Sequence, residues 1–133
     1  MMIGFESILG LRVIDVSASK AVGEIEIVGH HLQPYGMVHG GVFSSMVETL
    51  ASYGAALWAS DQGWFGAVGI SNATDFLRAT RTGTLRGEAV PVHQGRTQQI
   101  WQVVITRSGD EKVAARGQVR LQNVHSVGSK TSA

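Results

Sequence analysis

The chain has 133 residues, 44% of them hydrophobic and 16% charged, with no cysteine and 17 glycines, nearly twice the ordinary glycine share of about 7%. This length and apolar content specify one folded domain and exclude intrinsic disorder. The missing cysteine excludes a disulfide scaffold, a zinc–thiolate site and a cysteine nucleophile. The net charge of +1 is divided, with two basic against seven acidic residues through Leu77 and nine basic against three acidic from Arg78 onward. A basic second half suits a compact polyanion such as a nucleotide cofactor, or it reflects arginines on solvated strand faces. It is not the overall basic balance of a nucleic-acid-binding domain.

Taken in chain order, the N-terminus lacks a basic region and carries Glu6 inside its first apolar stretch, so it does not read as a secretory signal. No run of 18 apolar residues occurs, so no membrane span is expected, and the cytoplasm is the expected location. Alternation over Leu11–Val28 predicts two strands with a turn near Ser19–Lys20. Residues 29–41 have no period and read as a loop. From about Gly41 the spacing of Phe43, Met46, Val47, Leu50, Gly54, Leu57 and Trp58 predicts a helix of roughly five turns, stopped at Asp61–Gly63. Its other stripe carries Ser44, Ser45, Glu48, Ser52, Ala55 and Ala59. Strand character returns over Gly66–Leu77, Gly83–Val92, Arg96–Arg107 and Lys112–Gln122, joined by Gly-containing turns as in an antiparallel meander. The expectation is one α+β domain over residues 1–122, an antiparallel sheet wrapped around one long central helix. Residues 123–133 are expected to form a frayed tail.

The loop–helix junction, residues 33–48, reads QPYGMVHGGVFSSMVE. Gly40 and Gly41 open the helix, where backbone N–H groups are unpaired at the positive dipole end. Glycine lets a ligand atom approach those amides closely, which makes an anion site or, for a reacting carbonyl, an oxyanion hole. Glu48 is the only charged residue between Glu26 and Asp61. Either it sits on a solvated helix face, or it is a functional carboxylate, since the small residues around it are unlike a solvated face. His39 reads as a general base, as a hydrogen-bonding residue that fixes the turn, or as a metal ligand with His30 and His31. A histidine trio in one loop, without a carboxylate at fixed spacing, is a weak zinc signal, and no metal is expected. Gly63, Gly66 and Gly69 do not make a dinucleotide fingerprint, residues 128–131 do not make a P-loop, and no Gly-x-Ser-x-Gly elbow occurs. Trp64, Phe65 and Tyr53 are either core residues or the lining of an aromatic-tolerant pocket.

The segments HLQPYGMVHGGVFSSMVETLAS, SNATDFLRATRTGTLRGEA and VHQGRTQQIWQV resemble the hotdog-fold acyl-CoA thioesterases, in the branch of the phenylacetate-pathway and 4-hydroxybenzoyl-CoA enzymes. The resemblance runs from about Leu11 to Gln122. It implies hydrolysis of an acyl- or aroyl-CoA thioester, with coenzyme A part of the substrate and no further cofactor. By position it implies Glu48 as the catalytic carboxylate, acting as nucleophile or general base. Gly40 becomes the amide that polarises the thioester carbonyl, Gln33 a placing residue, Ser52 a hydroxyl one turn beyond the carboxylate, and His39 the loop histidine near the thioester. Arg96 and Thr97 fall where such proteins meet the cofactor phosphates. Arg78 is followed by Ala79 where proline is common. A homodimer with sites shared between subunits is implied, with pairing again into a tetramer. Two other readings stand beside this one: an enoyl-CoA hydratase, which wants an acid–base pair, and a non-catalytic acyl-CoA-binding domain.

Overall fold

A computed structural model describes residues 4–127. The elements are α1 (Phe5–Leu9), β1 (Leu11–Ser17), β2 (Lys20–Glu26), a 3-10 turn (Gly29–His31), α2 (Gly40–Asp61), β3 (Gly66–Phe76), β4 (Thr84–Gln94), β5 (Gln98–Arg107) and β6 (Val113–Val124). The six strands form one antiparallel sheet in the order β1-β2-β4-β5-β6-β3, and α2 packs across it. The expected sheet and central helix are therefore both present.

The register brings glycine to the places where the helix comes closest. Gly23 and Gly87 are cross-strand partners, and a Cβ on them would stand 2.9 and 2.6 Å from the two methyls of Leu50. On β6, a Cβ at Gly117 would stand 2.8 Å from Val47. The excess glycine thus makes a trough in the sheet in which α2 lies. Strand alternation does the rest: Gln99, Trp101, Val103 and Ile105 of β5 are buried, as are Ala115, Val119 and Leu121 of β6.

Three expectations are corrected. The last four strands are not a simple meander, because β3 pairs with β6 at the sheet edge while β4 pairs with β2. The chain crosses between them through residues 77–83, so β3 is left with one open edge. Second, the buried stripe of α2 continues through Ala51, Gly54, Ala55 and Ala59, while Leu57 is exposed and Trp58 stacks edge-on against Trp64. The bulk at that end comes from Trp101 of the sheet, fully buried, so the helix must supply small residues there. Third, the strand expected to stop at Gln122 runs to Val124, and Asn123 is buried. His125 packs on Trp64 and meets the Arg96 carbonyl at 2.9 Å, and the expected tail from residue 128 lies outside the described residues.

Asn123 belongs to a buried polar network. The Gln99 side-chain amide donates to the Ala55 carbonyl (3.0 Å) and to Asn123 Oδ1 (2.8 Å), and the Trp101 indole donates to Gln99 Oε1 (2.8 Å). Asn123 Nδ2 then donates to the carbonyls of Gly95 and Arg96. Every member has a partner, so the network ties the β4–β5 turn to the C-terminal half of α2.

Gly54 is the tightest contact between helix and sheet. A Cβ there would lie 2.4 Å from the Trp101 ring. In an open helix Gly→Ala adds about 1 kcal/mol of stability. Here Gly54→Ala is expected to lower the unfolding free energy by about 1–3 kcal/mol in a urea titration, because overpacking outweighs propensity.

Candidate active site

The loop before α2 is tied down at several points. Leu32 and Val38 make an isolated antiparallel bridge, Val38 N–H donates to the Thr80 carbonyl (2.8 Å), and Arg81 donates to the Tyr35 carbonyl (2.9 Å). Gln33 closes the tip: its N–H donates to Met37, its carbonyl accepts from Gly36, and its Oε1 accepts from the Tyr35 N–H. Its Nε2 has no partner among the described residues. Gln33 lines a cavity of about 240 Å³ together with Gly40, Phe43, Phe76 and Arg78.

His39 caps α2. Its Nδ1 accepts from the Gly41 N–H (2.8 Å), which places the ring proton on Nε2, and its carbonyl accepts from the Val42 N–H (2.9 Å). Of the readings open for His39, turn-fixing hydrogen bonding is the one present. The Gly40 N–H, by contrast, has no acceptor among the described residues and borders the Gln33 cavity. The first turn of a long helix thus presents one free amide at its positive end.

His30 and His31 hold α1 and do not join His39 in a metal cluster; no group of three metal-binding side chains occurs among the described residues. His31 is buried, with Nδ1 accepting from the Val28 N–H (3.0 Å) and Nε2 donating to the Leu9 carbonyl (2.7 Å). His30 Nε2 meets the Ile8 carbonyl at 3.1 Å. Both histidines satisfy carbonyls at the C-terminal end of α1, which a helix leaves unpaired.

Glu48 is exposed within one chain, on the face of α2 that meets β3. The Asn72 side-chain amide donates to Glu48 Oε1 (3.3 Å) and to the Ser44 carbonyl (3.0 Å), and Thr74 Oγ1 donates to Asn72 Oδ1 (2.7 Å). This Thr74–Asn72–Glu48 relay orients the carboxylate. Gly69 of β3 lies beside it, and a Cβ there would make ordinary contact with the carboxyl at 3.7 Å. The carboxylate borders a cavity of about 160 Å³ with Phe5, Ser44, Ser45, Thr49 and Asn72. Sequence reasoning missed Asn72; its only signal is its place on the strand that packs beside the helix.

Ser52 lies one turn beyond Glu48, half-buried. Arg96 and Thr97 are exposed on the β4–β5 turn, which the buried network fixes near Ala55. Along α2 that is about four turns from Gly40, so one chain does not bring them to the Gln33 cavity. Tyr53 stands beside Glu6 of α1, and burial followed by that carboxylate's charge pushes its phenol above the ordinary value. Trp64 packs against Trp58 and His125 at the far end of α2, and neither it nor Phe65 lines the cavities at Glu48 or Gly40.

Gly40 and Glu48 are eight residues apart on one helix, a rise of about 12 Å. One thioester carbonyl cannot contact both from the same chain.

The family model "Thioesterase superfamily" matches residues 35–114, more than half of the chain. A Mycobacterium tuberculosis protein named "Putative esterase Rv1847" is 44% identical over 121 residues, covering 90% of this chain and 86% of that one. Its solved structure superimposes with a TM-score of 0.88 at 40% identity, covering 96% and 98% of the two chains. The 1,4-dihydroxy-2-naphthoyl-CoA hydrolase of Listeria monocytogenes is 31% identical over 104 residues, covering 77% of this chain and 82% of that one. No helix among the described residues is long and apolar enough to cross a membrane. The resemblance read from the loop–helix junction holds at the level of family and fold: the chain belongs to the thioesterase superfamily and has its hotdog fold.

Proposed function

We propose that this chain hydrolyses the thioester of an acyl- or aroyl-coenzyme A, and that two copies complete each active site. The observation that supports this reading is a free Gly40 amide at the start of α2 with an Asn72-bonded Glu48 carboxylate about 12 Å further on. β3 has an open edge, and Asn72 of β3 touches both Ser44 and Glu48. A second copy added along that edge by a two-fold axis near Ser44 sets the two α2 helices antiparallel. Gly40 of one copy then faces Glu48 of the other, as an isologous interface requires.

In that arrangement the thioester carbonyl oxygen accepts from the Gly40 N–H, and the Gln33 amide nitrogen steadies the carbonyl or the water. The Glu48 carboxylate attacks the carbonyl carbon or takes a proton from an attacking water. The C–S bond breaks, the thiolate leaves as coenzyme A, and water supplies the hydroxyl of the free acid. The helix dipole and the amide stabilise the negative charge on the oxygen as it develops. Arg96 and Thr97, in the basic second half, are the proposed contacts of the coenzyme A phosphates. The Listeria relative, named as the hydrolase of a CoA thioester, supports the coenzyme A part of the reading.

The test is thiol release from acetyl-, decanoyl- and benzoyl-CoA, run beside the ultraviolet loss of crotonyl-CoA. Thiol release with a stable enoyl chromophore is the expected result. Loss of the chromophore without thiol means a hydratase, and binding without turnover means a carrier. Asn72 supplies a finer check. Asn72→Ala is expected to lower kcat about tenfold, the equivalent of a hydrogen bond to a charged group, with KM within about twofold. A change confined to KM removes Asn72 from the positioning of Glu48.

A further inference from the structure

α1 is five residues long and contributes one buried side chain, Leu9. A helix that short does not persist by itself in water. This one is nevertheless held by His30 and His31 on its last carbonyls and faces Tyr53 through Glu6. His31 is linked onward, because its carbonyl accepts from the His39 N–H (2.9 Å) and His39 caps α2. The anchored helix leaves its two largest apolar side chains outside: Phe5 is 61% and Ile8 68% exposed. Packing within the chain leaves this apolar surface uncovered, next to the stretch of α2 around Ser44 where the proposed second copy meets it.

Two cavities also border it. Phe5 and Ser45 border both the cavity at Glu48, about 160 Å³, and a second groove of about 300 Å³. That groove is walled by Ile8, Leu32 and Val42, with the His39 ring at one side. The two cavities meet at Phe5 and Ser45, so a path runs from Glu48 over Phe5 toward Ile8. The surface is apolar where an acyl chain would run and polar where the carbonyl would sit, the usual division in a small-molecule site.

From this geometry we infer that α1 is the acyl-recognition wall of the site, with Phe5 and Ile8 setting which acyl groups are accepted. This rests on the thioesterase reading above and extends it to substrate choice. Phe5 meets the first carbons beyond the carbonyl and Ile8 the later ones.

The experiment measures kcat/KM for acetyl-, hexanoyl-, decanoyl- and benzoyl-CoA with the wild type, Phe5→Ala, Phe5→Leu and Ile8→Ala. Phe5→Ala is expected to lower both the hexanoyl-to-acetyl and the decanoyl-to-acetyl ratios about tenfold, the scale of a lost apolar contact in a pocket. Phe5→Leu restores most of each ratio. Ile8→Ala lowers the decanoyl ratio and spares the hexanoyl one. A parallel fall for every substrate, as a loosened fold produces, overturns the inference, and so do ratios that stay within twofold of the wild type. A wild-type chain that releases thiol from none of the four overturns the thioesterase reading along with it. Normal wild-type turnover with unchanged ratios overturns the role of α1 alone.

Discussion

Glu48→Gln is expected to lower kcat for thiol release about 10³-fold while leaving KM and the assembly intact, measured with the best acyl-CoA of the series and by size-exclusion chromatography. The substitution keeps the shape of the side chain. Glutamine Oε1 can still accept from Asn72, so the relay from Thr74 survives. What is lost is the negative charge, and with it the nucleophilicity that attacks carbon or the basicity that takes a proton from water. Because Glu48 is exposed and on the helix surface within one chain, its neutralisation costs the fold little. Residual turnover reflects binding and the Gly40 amide, which act without the carboxylate. A variant within tenfold of the wild type removes Glu48 from the chemistry.

How far such residues could be read from the sequence depends on whether their partners are local. Gly40 and Glu48 stood out because a helix N-terminus and a lone charge in a small-residue stripe are features of one short segment. The long helix was legible for the same reason, over three turns. It misled at Leu57 and Trp58, where the decisive neighbour is Trp101, more than 40 residues away. The position of β3 was hidden because strands with short turns look alike whether they pair in sequence or cross the sheet. His30 and His31 stayed ambiguous because their partners are backbone carbonyls 22 residues back, in a helix too short to show a period. Asn72 acts through a contact 24 residues distant. Strand and helix periodicity records which side of an element is covered, not which element covers it.

The second large effect isolates the amide and tests the shared site together. Gly40→Pro removes the backbone N–H at the first helical position, the place in a helix that best tolerates proline. His39 already has the extended backbone that a following proline demands, with φ −63° and ψ 136°. Either substituent at position 40 meets the Phe76 ring, since a Cβ would stand 2.4 Å from it, and that ring is exposed enough to turn away. Gly40→Ala is therefore the control, because it carries the same Cβ and keeps the N–H. The alanine-to-proline ratio in kcat is expected to be about 10²–10³, the value of one oxyanion donor. Purifying the mixed dimer of Glu48→Gln and Gly40→Pro chains through two different tags then separates the geometries. If each site takes Gly40 from one copy and Glu48 from the other, the mixed dimer holds one intact site and one doubly altered site. It should recover about half the wild-type activity, from two parents that have almost none. A mixed dimer no more active than its parents means that both groups act from the same chain. Given the 12 Å between them, the amide or the carboxylate would then have to be reassigned.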